Sequence, residues 1–360
     1  MTPPRHAVPR LAAGFLLVPS AAAMLFWNEG RERAAASALA EGEGSVISVS
    51  ATAADPRNEG GLIHVSAAPR VPEPLTDPDF GVTVPGAVRL RRQVEMYQWR
   101  ETGRAHTPQR EWSGQAIDSR HFNEPYLHRN PPMRWSALDQ IAPQAHVGVF
   151  RVERALLEQL GPEAPLPVTP ALLPNGALPA AAGAMLDGDR IYAGANPAEP
   201  AIGDTRIRYS VTRVETVSVI GRQTGDTIAP WPARSGGSVF LIAPGTLPAS
   251  AMLRQAGADT NSLAWGLRFL GAGMIFGGTC LAFRPLSPRL PALAPLAGVP
   301  SWLAAALAVL ILAPLSIAAG WLAARPMLGL GVLAALLAAA PIAARWWRRA
   351  PPRAPGPWGG

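Results

Sequence analysis

Four long apolar runs divide the chain into membrane-length segments and polar segments. Each run is long enough to cross the hydrocarbon core of a bilayer as a helix, although the first is short and contains Pro19. A cleaved signal peptide is the alternative for the first run, because residues 21–23 are small. Residues 24–27 extend the apolar run past that point, which favours an uncleaved anchor. The predicted transmembrane helices are residues 11–27, 263–283, 302–324 and 327–344.

Between the first two runs, residues 28–262 form a polar region whose central stretch is LRRQVEMYQWRE, residues 90–101. Apolar residues in and just before this stretch keep a period of two, at Val88, Leu90, Val94 and Met96, with Arg92 at the remaining position. A period of two predicts a strand with one face in a core. Charged and aromatic side chains occupy the other face, at Arg89, Arg91, Gln93, Glu95, Tyr97 and Trp99. This face either pairs with neighbouring segments or is itself a docking surface.

Weaker patterns surround this strand. A turn-rich segment joins residues 45–52 and 62–67, which predicts a hairpin. Alternating or buried-type apolar residues predict three later strands around residues 207–211, 217–219 and 239–243. Residues 28–40 are expected to continue the first helix, and residues 247–256 to form a short helix before the second span. The fold class is therefore an α+β membrane protein, with four transmembrane helices and one large β-rich domain inserted between the first and second.

The charge distribution separates the membrane flanks from this domain. The chain carries a net charge of +7 and no lysine. All 25 acidic residues lie in residues 28–262 with 22 of the 32 arginines, which leaves that region at −3. The remaining arginines flank or lie within the apolar runs. The basic isoelectric point thus reflects the membrane flanks, and a nucleic-acid surface is not expected.

Residues with catalytic or metal-binding chemistry are few. The single cysteine, Cys280, excludes a disulfide framework or a cysteine zinc site within one chain. His121 and His128 lack a nucleophile or a third ligand at a recognisable spacing. We therefore predict no catalytic, cofactor-binding or metal residue. An enzyme would require these histidines to converge in a cleft with Glu95 or Glu101.

Positive charges beside the spans predict the topology. Arginines occur in residues 1–10, in the proline-rich loop 284–301 and in the tail 345–360. With four spans, all three segments fall on one side, which the positive-inside rule makes cytoplasmic. Both termini are then cytoplasmic, and the domain faces the periplasm or a lumen.

Polar residues within the spans are rare. Arg268 lies inside the second span, where it either snorkels to the interface, the interpretation we favour, or pairs with Glu29 or Glu32. Gly273 and Gly277 form a GxxxG step that permits close helix packing. Transport normally needs more polar groups deep in the bilayer, which argues against an ion-coupled carrier.

Several motifs together resemble the transmembrane protein 43 family over nearly the whole chain. They are WNEGR at residues 27–31, the LRRQVEMYQWRE stretch, HRNPP at residues 128–132, ANPAEPAIGDTRIRYS from Ala195, VIGRQTGD at residues 219–226, NSLAWGLRFLG from Asn261 and AAGWLAARP at residues 318–326. The resemblance implies a four-span topology, self-association and no established catalytic residues. Eukaryotic members are linked to nuclear-envelope organisation through emerin and lamins. The arginine-only, alanine-rich composition is typical of a high-GC bacterium, to which those partners do not transfer.

The resulting hypothesis is a bacterial inner-membrane scaffold with no cofactor. It is expected to bind the bilayer, other copies of itself and an unidentified protein partner, but not nucleic acid. A channel or transporter component and a periplasmic-side enzyme are the alternatives. We expect the central strand to contact the HRNPP segment. The motif residues taken as interaction candidates are Asn28, Glu29, Gly30, Arg31, Arg92, Glu95, Tyr97, Trp99, Glu101, His128, Arg129, Asn130, Pro131, Arg268, Arg325 and Pro326.

Overall fold

The computed structural model describes residues 7–102, 107–161, 163–180, 183–286, 299–322 and 331. The chain divides into two compact units. The first comprises Met1–Glu41, Ala233–Gly237 and Arg254–Gly360, and its described residues are mainly helical. The second comprises Gly42–Pro232 and Ser238–Leu253, and it contains most of the strands. The structure therefore has both the α-helical and the β-rich parts that the sequence predicts.

Three long α-helices and one short α-helix occur in the described residues: α1 (Ala7–Ser45), α2 (Arg154–Leu157), α3 (Ala249–Leu286) and α4 (Ser301–Leu322). The long ones contain three stretches apolar and long enough to cross a membrane, at Arg10–Ser45, Ala249–Phe283 and Ser301–Leu322. They include the predicted spans at 11–27 and 263–283 and most of the span at 302–324. The fourth predicted span, residues 327–344, lies outside the described residues apart from residue 331.

Helices α1 and α3 extend beyond the apolar runs. Helix α1 continues through residues 28–40, as predicted from the absence of a strong helix breaker. Residues 249–256 are helical, as predicted, but they are the start of α3, which runs unbroken from Ala249 through the apolar run. Residues 254–262 contain weak helix formers, including Gly257, but no proline, so nothing in this stretch ends the helix.

Helices α1 and α3 approach each other closely at two glycines of α3. These are not Gly273 and Gly277, the glycines of the predicted GxxxG step. A Cβ atom on Gly271 would lie 2.7 Å from Leu25 Cγ, and one on Gly278 would lie 2.9 Å from Val18 Cγ2. Gly273 and Gly277 of the GxxxG step have no such neighbour within 4 Å in the described structure. The glycines that α1 contacts, Gly271 and Gly278, therefore do not have the GxxxG spacing from which close packing was predicted.

The described residues form nineteen strands: β1 (Ile47–Ser48), β2 (Leu62–Ala67), β3 (Pro69–Arg70), β4 (Leu75–Thr76), β5 (Thr83–Val84), β6 (Arg89–Thr102), β7 (Thr107–Ser113), β8 (Leu138–Ile141), β9 (Gln144–Val147), β10 (Phe150–Glu153), β11 (Ala164–Leu166), β12 (Met185–Asp187), β13 (Arg190–Ala193), β14 (Thr205–Thr212), β15 (Val217–Thr224), β16 (Thr227–Ala229), β17 (Trp231–Pro232), β18 (Ser238–Val239) and β19 (Leu241–Pro244). The larger sheet has the order β1-β2-β15-β16-β10-β9-β3, with β19 paired to β15. The second has the order β12-β13-β14-β6-β7, with β11 paired to β14 and β8 paired to β6. Apolar residues of both sheets, such as Val65 of β2 and Val94 of β6, share one core.

The predicted central strand is β6, which pairs with β14 along one edge and with β7 and β8 along the other. The predicted hairpin at residues 45–67 was wrong. Strand β1 pairs with β2 in parallel, with Ile47 opposite Ile63. The connecting residues 49–61 are numerous enough for the chain to cross over and return in the same direction, so turn-forming residues alone do not fix strand direction.

Candidate functional site

A fully buried carboxylate joins the three long helices of the first unit. Glu29 of α1 accepts two hydrogen bonds from the guanidinium of Arg268 on α3, at 2.7 Å for Nε–Oε1 and 2.8 Å for Nη2–Oε2. The indole Nε1 of Trp321 on α4 donates to Oε2 of the same carboxylate at 2.6 Å. We call these three residues the Glu29 cluster. Both carboxylate oxygens are used, so the charge is compensated where it is buried.

Of the two interpretations of Arg268, the structure shows the ion pair. Besides Glu29, the guanidinium Nη2 lies 3.6 Å from Oε2 of Glu32, and the group lies 5.0 Å from the ring centroid of Trp265. A buried bidentate pair of this kind is directional, because the planar guanidinium and the carboxylate match only in one orientation. The contact therefore fixes the rotation of α1 against α3.

Main-chain oxygens of α3 and α4 accept hydrogen bonds from two more polar side chains of α1. The Asn28 side chain donates to Ala264 O at 3.2 Å, and Arg33 donates to Gly320 O at 2.6 Å. A Cβ on Gly320 would lie 2.7 Å from the Glu29 Cβ, so close approach of α4 depends on this glycine. Arg31 donates to Oδ1 of Asn28 at 3.3 Å.

Three motif candidates remain. Gly30 has open space around the position of a Cβ, and nothing in the structure explains it. Arg325 and Pro326 lie outside the described residues.

In the second unit, the charged positions of β6 form ion pairs with adjacent strands. Glu95 accepts from Nε of Arg206 on β14 at 2.6 Å and from Nη1 of Arg208 at 3.2 Å. Asp139 of β8 accepts from Arg89 and Arg91, and the hydrogen bond from Arg89 is the main reason that its pKa falls to about 2. These are the cross-strand pairs expected for opposite charges on one sheet face.

The aromatic positions of β6 are covered by neighbouring side chains. Tyr97 packs on Trp112 of β7 with ring centroids 5.3 Å apart, and the Arg206 guanidinium lies 4.5 Å from the Trp112 centroid. The ring centroids of Trp99 and His128 are 4.6 Å apart, and the Arg110 guanidinium lies 5.5 Å from the Trp99 centroid. Aromatic and cation–π contacts therefore occupy the face that the sequence left open as a docking surface.

The HRNPP segment contacts β6 mainly through Asn130. Its amide oxygen accepts the Trp99 N–H at 2.7 Å, and its amide nitrogen donates to Trp99 O at 2.9 Å and to Ile117 O at 3.2 Å. Pro131 packs against Gly203, where a Cβ would lie 2.9 Å from the proline Cγ. Arg129 is exposed. The expected contact between the central strand and this segment is present.

A buried charge cluster on the core side of β6 was not recognised in the sequence. Arg92, 3% exposed, donates from Nη1 to both carboxylate oxygens of the fully buried Asp77, at 2.8 and 2.9 Å. The hydroxyl of Tyr209 on β14 donates to Asp77 Oδ2 at 2.6 Å. Burial, followed by the hydrogen bond to Asp77, raises the pKa of Tyr209. The available signal was that Arg92 shares the alternation phase of Leu90 and Val94.

The residues considered for catalysis make structural contacts. Glu95 is bonded to arginines, and Glu101 accepts the backbone N–H of Asn123 at 2.8 Å. His121 is exposed, with Nε2 4.0 Å from Asp118 Oδ2, whereas His128 packs on Trp99. Among the described residues, no group of three or more histidine, cysteine or acidic side chains is placed to hold a metal ion.

Comparison with known proteins gives consistent matches. The sequence model of transmembrane protein 43 matches residues 91–326. Human transmembrane protein 43 is 32% identical, with 89% of this chain and 85% of the human protein covered. The rat protein is 31% identical over 84% of this chain and 82% of its own length, and the Drosophila melanogaster homolog is 30% identical over 89% and 90%. No solved structure matches.

Proposed function

Because the chain belongs to the transmembrane protein 43 family, we propose that it is a non-enzymatic membrane protein that acts as an oligomeric scaffold. The Glu29 cluster is the observation that carries this proposal. It connects α1, α3 and α4 through a compensated, fully buried charge. Such a contact favours one helix arrangement over sliding or rotated ones, which is the property a rigid membrane anchor needs.

The surface of the helices leaves room for association. Large apolar side chains are exposed on all three, including Leu16 at 70%, Phe269 at 71% and Leu310 at 65%. In a membrane these positions contact lipid or a second copy of the chain. The β-rich domain then carries the surface for an unidentified protein partner, and the protein would organise other components rather than transform them.

We further propose that the protein resides in a bacterial inner membrane with both termini cytoplasmic and the domain periplasmic. Arginines beside the apolar runs support this orientation. An alkaline phosphatase reporter is expected to be active when inserted at the exposed Gly176 and inactive when fused after Ala350, because the enzyme matures only outside the cytoplasm. Equal activity at the two sites would show that the topology is wrong. A green fluorescent reporter, which should give the reverse pattern, controls for expression.

Self-association is the direct test of the scaffold function. Two differently tagged copies expressed in one cell are expected to crosslink in native membranes and to co-purify in mild detergent. Membranes from cells that express one tag each, mixed after solubilisation, provide the control for exchange and aggregation. A chain that stays monomeric at all concentrations, with no crosslinked neighbour, would refute the scaffold proposal.

A channel or transporter component is the second candidate. An ionisable pair within membrane-length helices often marks a transport pathway, and Glu29 with Arg268 is such a pair. Flux through reconstituted vesicles distinguishes the two functions, since a scaffold gives none.

A further inference from the structure

Two arginines and a histidine lie side by side on the larger sheet. Arg70 of β3 is directly opposite His146 of β9, and His146 is directly opposite Arg151 of β10. On the other side of Arg151, Thr227 of β16 continues the row. Adjacent residues on β9 and β10, such as Ala145 and Val152, are buried, so the row lies on the face away from the core. We call these four residues the basic row.

The two arginines of the basic row differ from most others in the domain. Arg89, Arg91, Arg92, Arg206 and Arg208 all form ion pairs. Arg70 and Arg151 are exposed and form no ion pair with any residue that the structure describes. The nearest acids are Glu153 on β10, which lies opposite Gln144, and Asp226, whose carboxylate accepts a hydrogen bond from Thr227 and forms no ion pair with Arg151. Arg70 and Arg151 lie on either side of His146, so an anion over His146 would lie between the two cations.

A surface depression lies beside the basic row. It has a volume of about 580 Å³, and Arg70 and His146 line it together with Pro69, Val71, Pro72, Gly86 and Gly148. This volume falls within the range of small-molecule sites, roughly 300–1,000 Å³. Prolines restrict the backbone on the Arg70 side. On the other side Gly148, with φ +63°, makes the tight turn between β9 and β10, and a Cβ there would lie 2.2 Å from Ala51 O. Short, fixed segments therefore present the basic groups.

We propose that the basic row binds a phosphomonoester. A guanidinium presents paired N–H donors that match two phosphate oxygens, and a dianion balances the charges of two arginines. The His146 ring supplies a further donor between the two arginines. This ligand site goes beyond the scaffold function, because it gives the domain a small charged ligand. The phosphomonoester belongs either to a soluble metabolite or to a lipid headgroup, and both present the same chemistry.

The test uses the full-length protein in detergent and isothermal titration calorimetry. Glycerol 3-phosphate represents the soluble source, dioctanoyl phosphatidic acid represents the lipid monoester, and dioctanoyl phosphatidylglycerol is the diester control. At least one monoester is expected to bind more tightly than the diester, and the R70A/R151A double variant is expected to weaken it at least tenfold. The R57A/R154A variant removes two exposed, ion-paired arginines and the same net charge, and it is expected to bind like the native protein.

The arms of this experiment separate the possible results. Binding of glycerol 3-phosphate supports a soluble ligand, whereas binding of phosphatidic acid alone supports a headgroup. Equal losses in R70A/R151A and R57A/R154A would show general charge attraction and overturn the proposal, as would absence of binding to either monoester. If the alanine variant does not fold, R70K/R151K keeps the charge without the planar fork and is expected to weaken monoester binding several-fold. Unchanged monoester binding by R70K/R151K overturns the proposal.

Discussion

Replacing Arg268 with alanine is expected to lower the free energy of unfolding of the full-length protein by about 3–5 kcal/mol, because Glu29 would remain buried without its cation. The same contact joins α1 to α3, so the helices of the variant should separate at a lower SDS concentration than those of the native protein. SDS titration of the protein in mild detergent, followed by tryptophan fluorescence, measures it. Trp321→Phe removes only one hydrogen bond to the carboxylate, and its expected cost is about 1.5–3 kcal/mol.

Glu32→Ala is the matched control for Arg268→Ala. Its carboxylate is 3.6 Å from the same guanidinium but is partly exposed, so its expected effect is below about 1 kcal/mol. The double variant Glu29→Met/Arg268→Met removes both charges and should be less destabilised than Arg268→Ala. If Arg268→Ala and Glu32→Ala had equally small effects, the Glu29 cluster would not determine how the helices pack.

The sequence was informative where local pattern and local environment agree. The alternation of apolar residues in β6 identified a strand with one face in the core, and Leu90 and Val94 occupy that face. Uninterrupted alanine-rich sequence indicated that α1 continues beyond its apolar run. In both cases the residues that form the element also contain the signal.

Features that depend on distant residues were less accessible. Arg268 had two interpretations, because the choice between them depends on Glu29, which precedes it by 239 positions in the chain. The direction of β1 depends on its pairing with β2, and turn residues between them permit either direction. Several glycines lie close together on α3, and only the position of α1 decides which of them it contacts.

The buried cluster of Asp77, Arg92 and Tyr209 was not recognised in the sequence for the same reason, because its members lie far apart in the chain. Asp77 lies between the short strands β4 and β5, where no sequence pattern predicts burial, yet its carboxylate accepts hydrogen bonds from Arg92, Tyr209 and the backbone N–H of Asp79. A buried aspartate is stable only with such a set of donors. Charged residues in the apolar phase of a strand are therefore a useful signal of a buried partner elsewhere in the chain.

Replacing Arg92 with leucine is expected to destabilise the β-rich domain by about 3–5 kcal/mol, because Asp77 would keep its burial and lose its cation. Arg91→Ala is the control. Arg91 is next in sequence but on the other face of β6, where its partners Asp139 and Glu163 are partly exposed, so the expected cost is below about 1 kcal/mol. Urea unfolding of the full-length protein, followed by circular dichroism in the β-sheet region, measures both. Equal effects would contradict the assignment of Arg92 to the core.

Tyr209→Phe tests the same cluster through its pH dependence. The raised pKa of Tyr209 means that the folded phenol stays neutral at a pH where the unfolded one, with an ordinary pKa of 10.0, ionises. Its contribution to stability is therefore complete below pH 10 and declines as the pH rises further.

Near neutral pH the phenylalanine variant should lose about 1.5–3 kcal/mol with the hydrogen bond to Asp77. Between pH 9 and 11 its stability should fall less steeply than that of the native protein, although Tyr192, whose pKa burial also raises, preserves part of the slope. Parallel slopes for the two proteins would contradict this prediction. They would mean that Tyr209 ionises as easily in the folded chain as in the unfolded one.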